Sequence, residues 1–307
     1  MGRMVRRLFV LLLWLSATLP AAVRAQTGEP LRIWDGTQVD KPKVTLTPFL
    51  AQEQRGNIAV IVCPGGSYCW LDYETEGEGV ARWLQANGIS AFVLRYRVAG
   101  IWSWFSHDRL LFRKRQYPDM VEDVQRAIQL VRENAGHYGI DPQKVGVMGF
   151  SAGGHLAITS GTFFGTDFLA PHGIECGVSL RPDFISPIYP VVTMSDKRYA
   201  HRRSRRGSLG EYRNNRKVWR DSLSMERHVR EDMPPVFLMN CVDDPIVKYQ
   251  NSELLDAALT EKNVEHKYIQ YRVGGHGFGA TPDKTSEEAI AWREEFLEWV
   301  KQICRVE

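Results

Sequence analysis

The serine at position 151 stands in the pentapeptide Gly-Phe-Ser-Ala-Gly of residues 149–153, between an apolar run and a helical pattern. In a strand–turn–helix context this G-x-S-x-G pattern is typical of a nucleophile elbow, although a chance match is the alternative. Turning within one residue strains the backbone and brings neighbouring chain so close that side chains at 149 and 153 would clash. The turn also presents Ser151 Oγ at the positive end of a helix, where developing negative charge is favoured. The pattern predicts Ser151 as a nucleophile.

A serine hydroxyl is a weak nucleophile unless a base accepts its proton and an acid orients that base. After an elbow, the acid and then the histidine follow in chain order. His276 lies in a glycine-rich segment after a predicted strand, and Asp243 and Asp244 follow the strand before it. We predict His276 as the base and Asp244 as the acid, with Asp243 capping the turn or hydrogen-bonding the loop. His155 is nearer in sequence, but it lies four residues into the helix and is predicted to point away.

Backbone amides must also hold the negative oxygen of a tetrahedral intermediate. In elbow enzymes one donor is the residue after the nucleophile, here Ala152, and another comes from a loop after an early strand. The segment Cys-Pro-Gly-Gly-Ser of residues 63–67 follows such a strand. We predict Gly66 as the second donor, with Gly65 and Ser67 beside it. A plain β-turn is the alternative for Pro-Gly-Gly.

Short apolar segments alternate with helical patterns along the chain from Leu31 onward, and these elements must position the candidate residues. The predicted strands are 57–63, 89–96, 144–150, 184–191, 235–241 and 266–273, and the predicted helices include 78–87, 118–135, 247–259 and 286–303. Near-continuous hydrophobicity predicts strands buried on both faces. Strand–helix alternation predicts a mostly parallel central sheet with helices on both faces. We expect a single α/β domain over residues 26–307.

Residues 1–25 have a basic start, an apolar run and small residues at Val23 and Ala25, the pattern of a secretory signal peptide. A retained membrane anchor is the alternative, but the apolar run is short for spanning a bilayer. The formal net charge is +3, and this segment holds four arginines and no acid, so the remainder carries −1. That balance does not indicate nucleic acid as a partner. We expect a periplasmic or secreted protein with no stable membrane insertion.

Five cysteines are present, and none has the spacing of a metal site or a CxxC motif. Cys63 and Cys241 end predicted buried strands, where cysteine is a common small apolar side chain. We favour that interpretation over a disulfide bond, although an oxidising compartment permits one.

Six segments carry a resemblance to a known family: CPGGSY, EGEGVARWLQANGISAFVLRYRV, KVGVMGFSAGGHLA, RPDFISPIYPVVTM, DDPIVKYQNSELLDAAL and GGHGFG. In this order, over roughly residues 31–300, the chain resembles the α/β-hydrolase carbohydrate acetyl esterases, which are secreted, acetylxylan-esterase-like bacterial enzymes. The resemblance implies an α/β-hydrolase fold in which Ser151 is the nucleophile, His276 the base and Asp244 the acid. It also implies an oxyanion hole from Gly66 and Ala152, and deacetylation without a metal or other cofactor.

Residues 99–117 and 194–230 are predicted lid or cap segments: the first is longer and more aromatic than the family pattern, and the second lies where α/β hydrolases often insert a cap. Trp102, Trp104 and Phe105 of the first segment could stack on sugar rings, together with Tyr68 beside the oxyanion loop. Packing of a lid or an oligomer contact is the alternative for these aromatics. The second segment is rich in arginine, which could bind acidic sugars such as uronic acids. A solvated charged face is the alternative.

The expected function is removal of acetyl groups from O-acetylated carbohydrate by a secreted serine carboxylesterase. The partner is then an acetylated oligo- or polysaccharide. A feruloyl esterase or a serine peptidase of the same fold is an alternative, and so is a non-catalytic carbohydrate-binding relative.

Overall fold

The computed structural model describes residues 27–39, 43–101 and 115–306, and one eight-stranded sheet runs through them. Its spatial order is β1-β2-β4-β3-β5-β6-β7-β8, in which the pairs β1–β2 and β2–β4 are antiparallel and the other five pairs are parallel. The strands are β1 (Leu31–Arg32), β2 (Thr45–Phe49), β3 (Ala59–Cys63), β4 (Ser90–Arg95), β5 (Val145–Phe150), β6 (Ile185–Ile188), β7 (Val236–Cys241) and β8 (His266–Tyr271). The predicted mostly parallel sheet is confirmed.

Helices cover both faces of this sheet, as the alternation predicted. The α-helices within the described ranges are α1 (Gly79–Ala86), α2 (Asp119–Glu133), α3 (Ala135–Tyr138), α4 (Ala152–Thr162), α5 (Arg202–Asn214), α6 (Lys217–Ser222), α7 (Gln250–Glu261), α8 (Glu287–Ile290) and α9 (Trp292–Ile303). A π-helical turn (Tyr73–Glu78) precedes α1, and short 3₁₀ turns lie at Ala170–His172, Met225–Arg227 and Pro282–Lys284. The apolar faces of α2, α4 and α7 pack on one side of the sheet, and those of α1 and α9 pack on the other.

The strand β5 shows why its sequence is almost continuously apolar. Val145 and Val147 join the core under α2 and α4, whereas Met148 and Phe150 join the core under α1 and α9. Successive side chains of a strand point to opposite faces, so both sets need apolar residues. Each such fully buried large side chain contributes about 1.5–3 kcal/mol relative to an exposed one. This double burial holds the C-terminal end of β5, where the serine follows, in a rigid position.

Two parts of the sheet differ from the sequence prediction. The edge strand β8 is half-exposed along most of its length, since only β7 pairs with it, so the prediction of burial on both faces is wrong there. The strands β1 and β2 were not predicted. Within β2, Pro48 lies past the two residues that pair with β1, and its carbonyl oxygen accepts the Gly28 N–H at 2.8 Å.

The strand order reverses between β3 and β5, because the chain moves from β3 to β4 on one side and then returns to place β5 on the other. In open α/β sheets the crevice at such a switch point, beyond the carboxyl ends of the strands, is where ligands bind. The loop after β3 and the turn after β5 are the two segments predicted to carry the oxyanion donors and the nucleophile. The topology therefore places these two segments side by side.

Several predictions concern residues outside the described ranges. These are the signal peptide of residues 1–25, the aromatic residues Trp102, Trp104 and Phe105, and most of the predicted lid of residues 99–117. The second predicted cap segment, residues 194–230, holds α5 and α6 and lies between β6 and β7 along the chain. Cys63 and Cys241 are buried, as expected for small apolar side chains, and all five cysteines, each of them described, are free thiols. Among the helices of the described part, none is long and apolar enough to cross a membrane.

Candidate active site

Ser151 links β5 directly to α4 with a backbone conformation of φ 53° and ψ −114°. This left-handed φ is unfavourable for a residue with a Cβ, and strain of this kind concentrates at functional sites. The flanking glycines are required by close approach, as the motif predicted. A Cβ on Gly149 would lie 2.0 Å from the Gly153 carbonyl oxygen, and one on Gly153 would lie 2.0 Å from the Cys63 carbonyl oxygen. The elbow is therefore packed directly against the end of β3.

The structure brings the predicted serine, histidine and aspartate into one hydrogen-bonded chain. His276 Nε2 lies 2.9 Å from Ser151 Oγ, and His276 Nδ1 lies 2.6 Å from Asp244 Oδ2. The second oxygen of Asp244 accepts the backbone N–H groups of Ile246 and Val247 at 2.8 and 2.9 Å. The Asp244 side chain is 1% exposed, so this carboxylate is oriented by the protein alone. A base held by a buried acid next to a serine hydroxyl is the arrangement that nucleophilic acyl transfer needs.

Asp243, the neighbour of the orienting aspartate, has a different set of partners. Its Oδ1 accepts the backbone N–H groups of Gly274 at 3.0 Å and Gly275 at 2.9 Å. Those two glycines come directly before His276 in the chain. Asp243 thus anchors the loop that carries the histidine, which is the role predicted for it as a loop-bonding residue.

The histidine ring rests against a buried tyrosine that the sequence did not single out. The centroids of Tyr189 and His276 lie 4.7 Å apart, with the rings inclined by 52°. The Tyr189 hydroxyl accepts the Gly279 N–H at 2.9 Å and donates to Glu76 Oε1 at 2.9 Å. Tyr189 therefore connects the histidine loop to a carboxylate on the opposite side of the site.

The predicted oxyanion loop contains one amide that is already occupied. The Gly65 N–H donates to Glu76 Oε2 at 2.7 Å, so the prediction of Gly65 among the oxyanion donors is wrong. The N–H groups of Gly66, Ser67 and Ala152 have no hydrogen-bond partner among the described residues. Two of them belong to a loop packed on the elbow, because a Cβ on Gly65 would lie 3.0 Å from the Cβ of the nucleophile. Amides of this kind can stabilise an oxyanion.

Glu76 is the functional candidate that sequence reasoning missed. Its side chain is buried, and burial raises its pKa to about 7, although the nearby His276 and the two hydrogen-bond donors oppose that rise. Glu74 is exposed and Glu78 is half-exposed, so neither spacing nor composition distinguishes the middle glutamate. The π-helical turn decides which of the three points inward. Glu76 then links the oxyanion loop, through Gly65, with Tyr189.

We expect Glu76→Gln to change how the stability depends on pH. The folded protein holds a proton on Glu76 between pH 4.5 and about 7 that the unfolded chain has already released. The retained proton therefore stabilises the folded state at low pH. This stabilisation, roughly 3 kcal/mol, is lost as the pH rises. Glutamine does not ionise, so the free energy of unfolding of Glu76→Gln, relative to wild type, should rise by that amount between pH 4.5 and 8.

Urea unfolding at a series of pH values measures this difference. Glu74→Gln, an exposed substitution in the same π-helical turn, is the matched control and should show a nearly constant difference from wild type. A pH-independent difference for Glu76→Gln would mean that the buried carboxylate does not titrate in this range.

Tyr68, predicted to contact substrate, is instead part of the protein interior. It is 1% exposed, and its hydroxyl lies 2.8 Å from His155 Nδ1. His155 Nε2 donates to the Leu223 carbonyl oxygen at 2.8 Å, so Nδ1 accepts from the tyrosine. Burial lowers the pKa of His155 to about 4, which keeps this histidine neutral near pH 7. His155 is thus a core histidine, and the predicted substrate contact of Tyr68 is wrong.

Comparison with known proteins gives concordant matches. Residues 50–259 match the BD-FAE family. The chain is 31% identical over 281 residues to an acetylxylan esterase of Xylanibacter ruminicola, covering 90% of this chain and 51% of that protein. It is 33% identical over 240 residues to endo-1,4-beta-xylanase B of Butyrivibrio fibrisolvens, covering 78% of this chain and 35% of that one. The chain therefore spans about half or less of the length of these relatives.

A solved structure agrees with these matches over nearly the whole chain. The acetyl ester-xyloside bifunctional hydrolase from Caldicellulosiruptor lactoaceticus superposes with a TM-score of 0.77 at 31% identity. The match covers 93% of this chain and 100% of that one. Together with the sheet order, this likeness shows that the chain has the α/β-hydrolase fold that the sequence predicted.

Proposed function

The chain belongs to the BD-FAE family of α/β-hydrolases, and from that premise we propose that it is a serine carboxylesterase that removes acetyl groups from O-acetylated carbohydrate. The observation that carries the proposal is the chain of hydrogen bonds from Ser151 through His276 to Asp244, beside backbone amides that have no other partner among the described residues. The relatives point to the same chemistry, since one is an acetylxylan esterase and the matching solved structure is an acetyl ester-xyloside hydrolase.

The first half of the reaction forms an acyl-enzyme. His276 Nε2 takes the proton from Ser151 Oγ as this oxygen attacks the carbonyl carbon of the acetyl ester. The resulting oxyanion accepts the N–H groups of Gly66 and Ala152, with Ser67 offering a third donor. His276 then returns its proton to the sugar oxygen as the carbon–oxygen bond breaks, and the sugar hydroxyl leaves.

The second half hydrolyses that acyl-enzyme by the same route. Water loses a proton to His276 and attacks the acetyl carbonyl carbon, and acetate leaves as Ser151 Oγ regains a proton. Throughout, Asp244 holds the imidazole in the tautomer that accepts at Nε2 and stabilises the imidazolium form. The positive end of α4 adds stabilisation to the oxyanion, because its first N–H groups point toward it.

The signal-peptide pattern of residues 1–25 supports export to the periplasm or beyond, where acetylated plant polysaccharide is met as substrate. A protein at the cell surface or outside has access to polymers that do not cross a membrane.

The substrate proposal is tested by a panel of esters and amides. We expect acetate release from acetylated xylan and from 4-nitrophenyl acetate, with slower ferulate release from methyl ferulate and no cleavage of dipeptide anilides. Deacetylated xylan is the matched control for background acetate. Turnover of the aryl acetate alone would support a serine esterase but reject carbohydrate as its substrate. Faster ferulate release would favour a feruloyl esterase, and dipeptide cleavage would favour a peptidase.

A further inference from the structure

The arginine-rich segment forms one wall of an open cleft of about 490 Å³. Its lining contains no aspartate or glutamate from the described residues but six cationic side chains, namely Lys197, Arg198, Arg202, Arg203, Arg206 and Lys248. The remaining lining residues are Tyr199, Ala200, His201 and Ile246. The cleft is therefore strongly positive, although the chain as a whole carries only +3.

The cleft lies beside the Ser151–His276–Asp244 site. Ile246, in its lining, donates its backbone N–H to Asp244 Oδ1 at 2.8 Å. Burial lowers the pKa of His201, also in the lining, and the neighbouring charges of Arg203 and His276 lower it further, so His201 lies close to the histidine of the site. On the other side, α5 touches the oxyanion loop, because a Cβ on Gly207 would lie 2.3 Å from the Ser67 carbonyl oxygen.

Three of the six cations in the cleft form no ion pair with an acid among the described residues. Arg198 and Arg206 form ion pairs, with Asp196 at 2.7 Å and Glu211 at 2.5 Å. By contrast, Lys197 and Arg202 are exposed and form no ion pair with a described residue, and Lys248 Nζ donates to a backbone carbonyl oxygen rather than to an acid. A charged ligand would therefore find donors that are partly solvated and ready to exchange water for a carboxylate.

Apolar surface accompanies these cations. The Tyr199 ring is half-buried, with the Arg198 guanidinium 4.9 Å from its centroid. Ile246 is 46% exposed, which is high for a large aliphatic side chain next to a candidate active site. The apolar face of a pyranose ring packs well on aromatic and aliphatic side chains, while a carboxylate on the same ring pairs with guanidinium or ammonium groups.

We propose that this basic cleft binds a uronic acid residue of the substrate, so that the enzyme prefers acetylated saccharides that carry a carboxylate near the acetyl group. This inference rests on the proposed esterase function for its substrate, but the binding itself does not depend on hydrolysis. Arg202 lies on α5 and Lys248 in the loop before α7, so two separate elements supply the side chains that would hold the carboxylate.

The test measures binding in the Ser151→Ala protein by calorimetry, which separates it from catalysis. The two ligands are a xylo-oligosaccharide that carries one glucuronic acid and the neutral xylo-oligosaccharide of the same length. We expect the acidic ligand to bind about tenfold more tightly at low salt, and this advantage to shrink in 0.5 M NaCl, as expected for partly exposed ion pairs. Equal affinities for the two ligands would overturn the proposal.

Charge-removing variants locate the effect. Arg202→Gln and Lys248→Gln, each in the Ser151→Ala background, should each reduce the preference for the acidic ligand about threefold. Arg216→Gln and Lys301→Gln remove equally exposed cations outside the cleft lining and should keep the full preference. An equal loss in all four variants would assign the preference to overall charge and contradict the cleft.

Acetate release by the wild-type protein distinguishes the two ways of failing. If the acidic ligand binds preferentially but neither acetylated saccharide releases acetate, the proposed esterase function is rejected and uronic acid binding by the cleft is supported. Acetate release at equal kcat/KM from acidic and neutral acetylated saccharides, with equal binding, would keep the esterase and reject the cleft.

Discussion

Ser151→Ala is expected to lower kcat for 4-nitrophenyl acetate by about five orders of magnitude. The reason is that no other described hydroxyl accepts or donates a hydrogen bond with His276 Nε2. The residual rate should come from the oxyanion amides and from substrate binding, which do not need the serine. Stopped or continuous assays on the purified variant, with active-site titration of the wild type, measure the ratio of the two kcat values.

The variant must also be shown to be folded. Alanine removes one oxygen and no packing atom, so its thermal midpoint should lie within a few degrees of wild type. Ser222→Ala, whose hydroxyl donates only to the Trp219 carbonyl oxygen among the described residues, is the matched control and should retain full activity. Because the triad acts as a unit, the double variant with His276→Ala should be no slower than Ser151→Ala alone. More than a few per cent of wild-type activity in Ser151→Ala would reject the nucleophile.

Asp244→Asn is expected to lower kcat by about three to four orders of magnitude with little loss of stability. The asparagine oxygen can keep the N–H bonds from Ile246 and Val247, so the loop keeps its shape. The side-chain NH₂ then faces His276 Nδ1 and selects the tautomer with the proton on Nε2. That tautomer has no lone pair for the Ser151 proton.

Asp243→Asn is the matched comparison, because it makes the same chemical change at the adjacent position. Its amide oxygen can still accept the Gly274 and Gly275 N–H groups, so we expect a loss of less than about tenfold. Kinetic measurements on both variants under the same conditions decide between the two aspartates. A larger loss in Asp243→Asn than in Asp244→Asn would exchange their assigned roles.

Local chemistry made the elbow, the strands and the chain order of the site predictable from the sequence. The glycines around Ser151 are needed by contacts within five residues and with one neighbouring strand, and apolar alternation reports burial wherever a strand has neighbours on both sides. This pattern does not predict β8 and β2 correctly, because the residues of a strand do not indicate whether the strand lies at the edge of the sheet.

Only the tertiary structure decides which of several chemically equivalent residues becomes part of the active site. Ser151 and His276 are 125 positions apart, and the choice between Asp243 and Asp244 depends on which carboxylate the loop after β7 turns toward that histidine. Likewise, the π-helical turn directs Glu76 inward, where its carboxylate accepts the Gly65 N–H. Gly65 therefore cannot serve as an oxyanion donor. Sequence patterns give residue types and local spacing. Hydrogen bonds between distant segments depend instead on the directions of side chains and loops, which are set by tertiary packing.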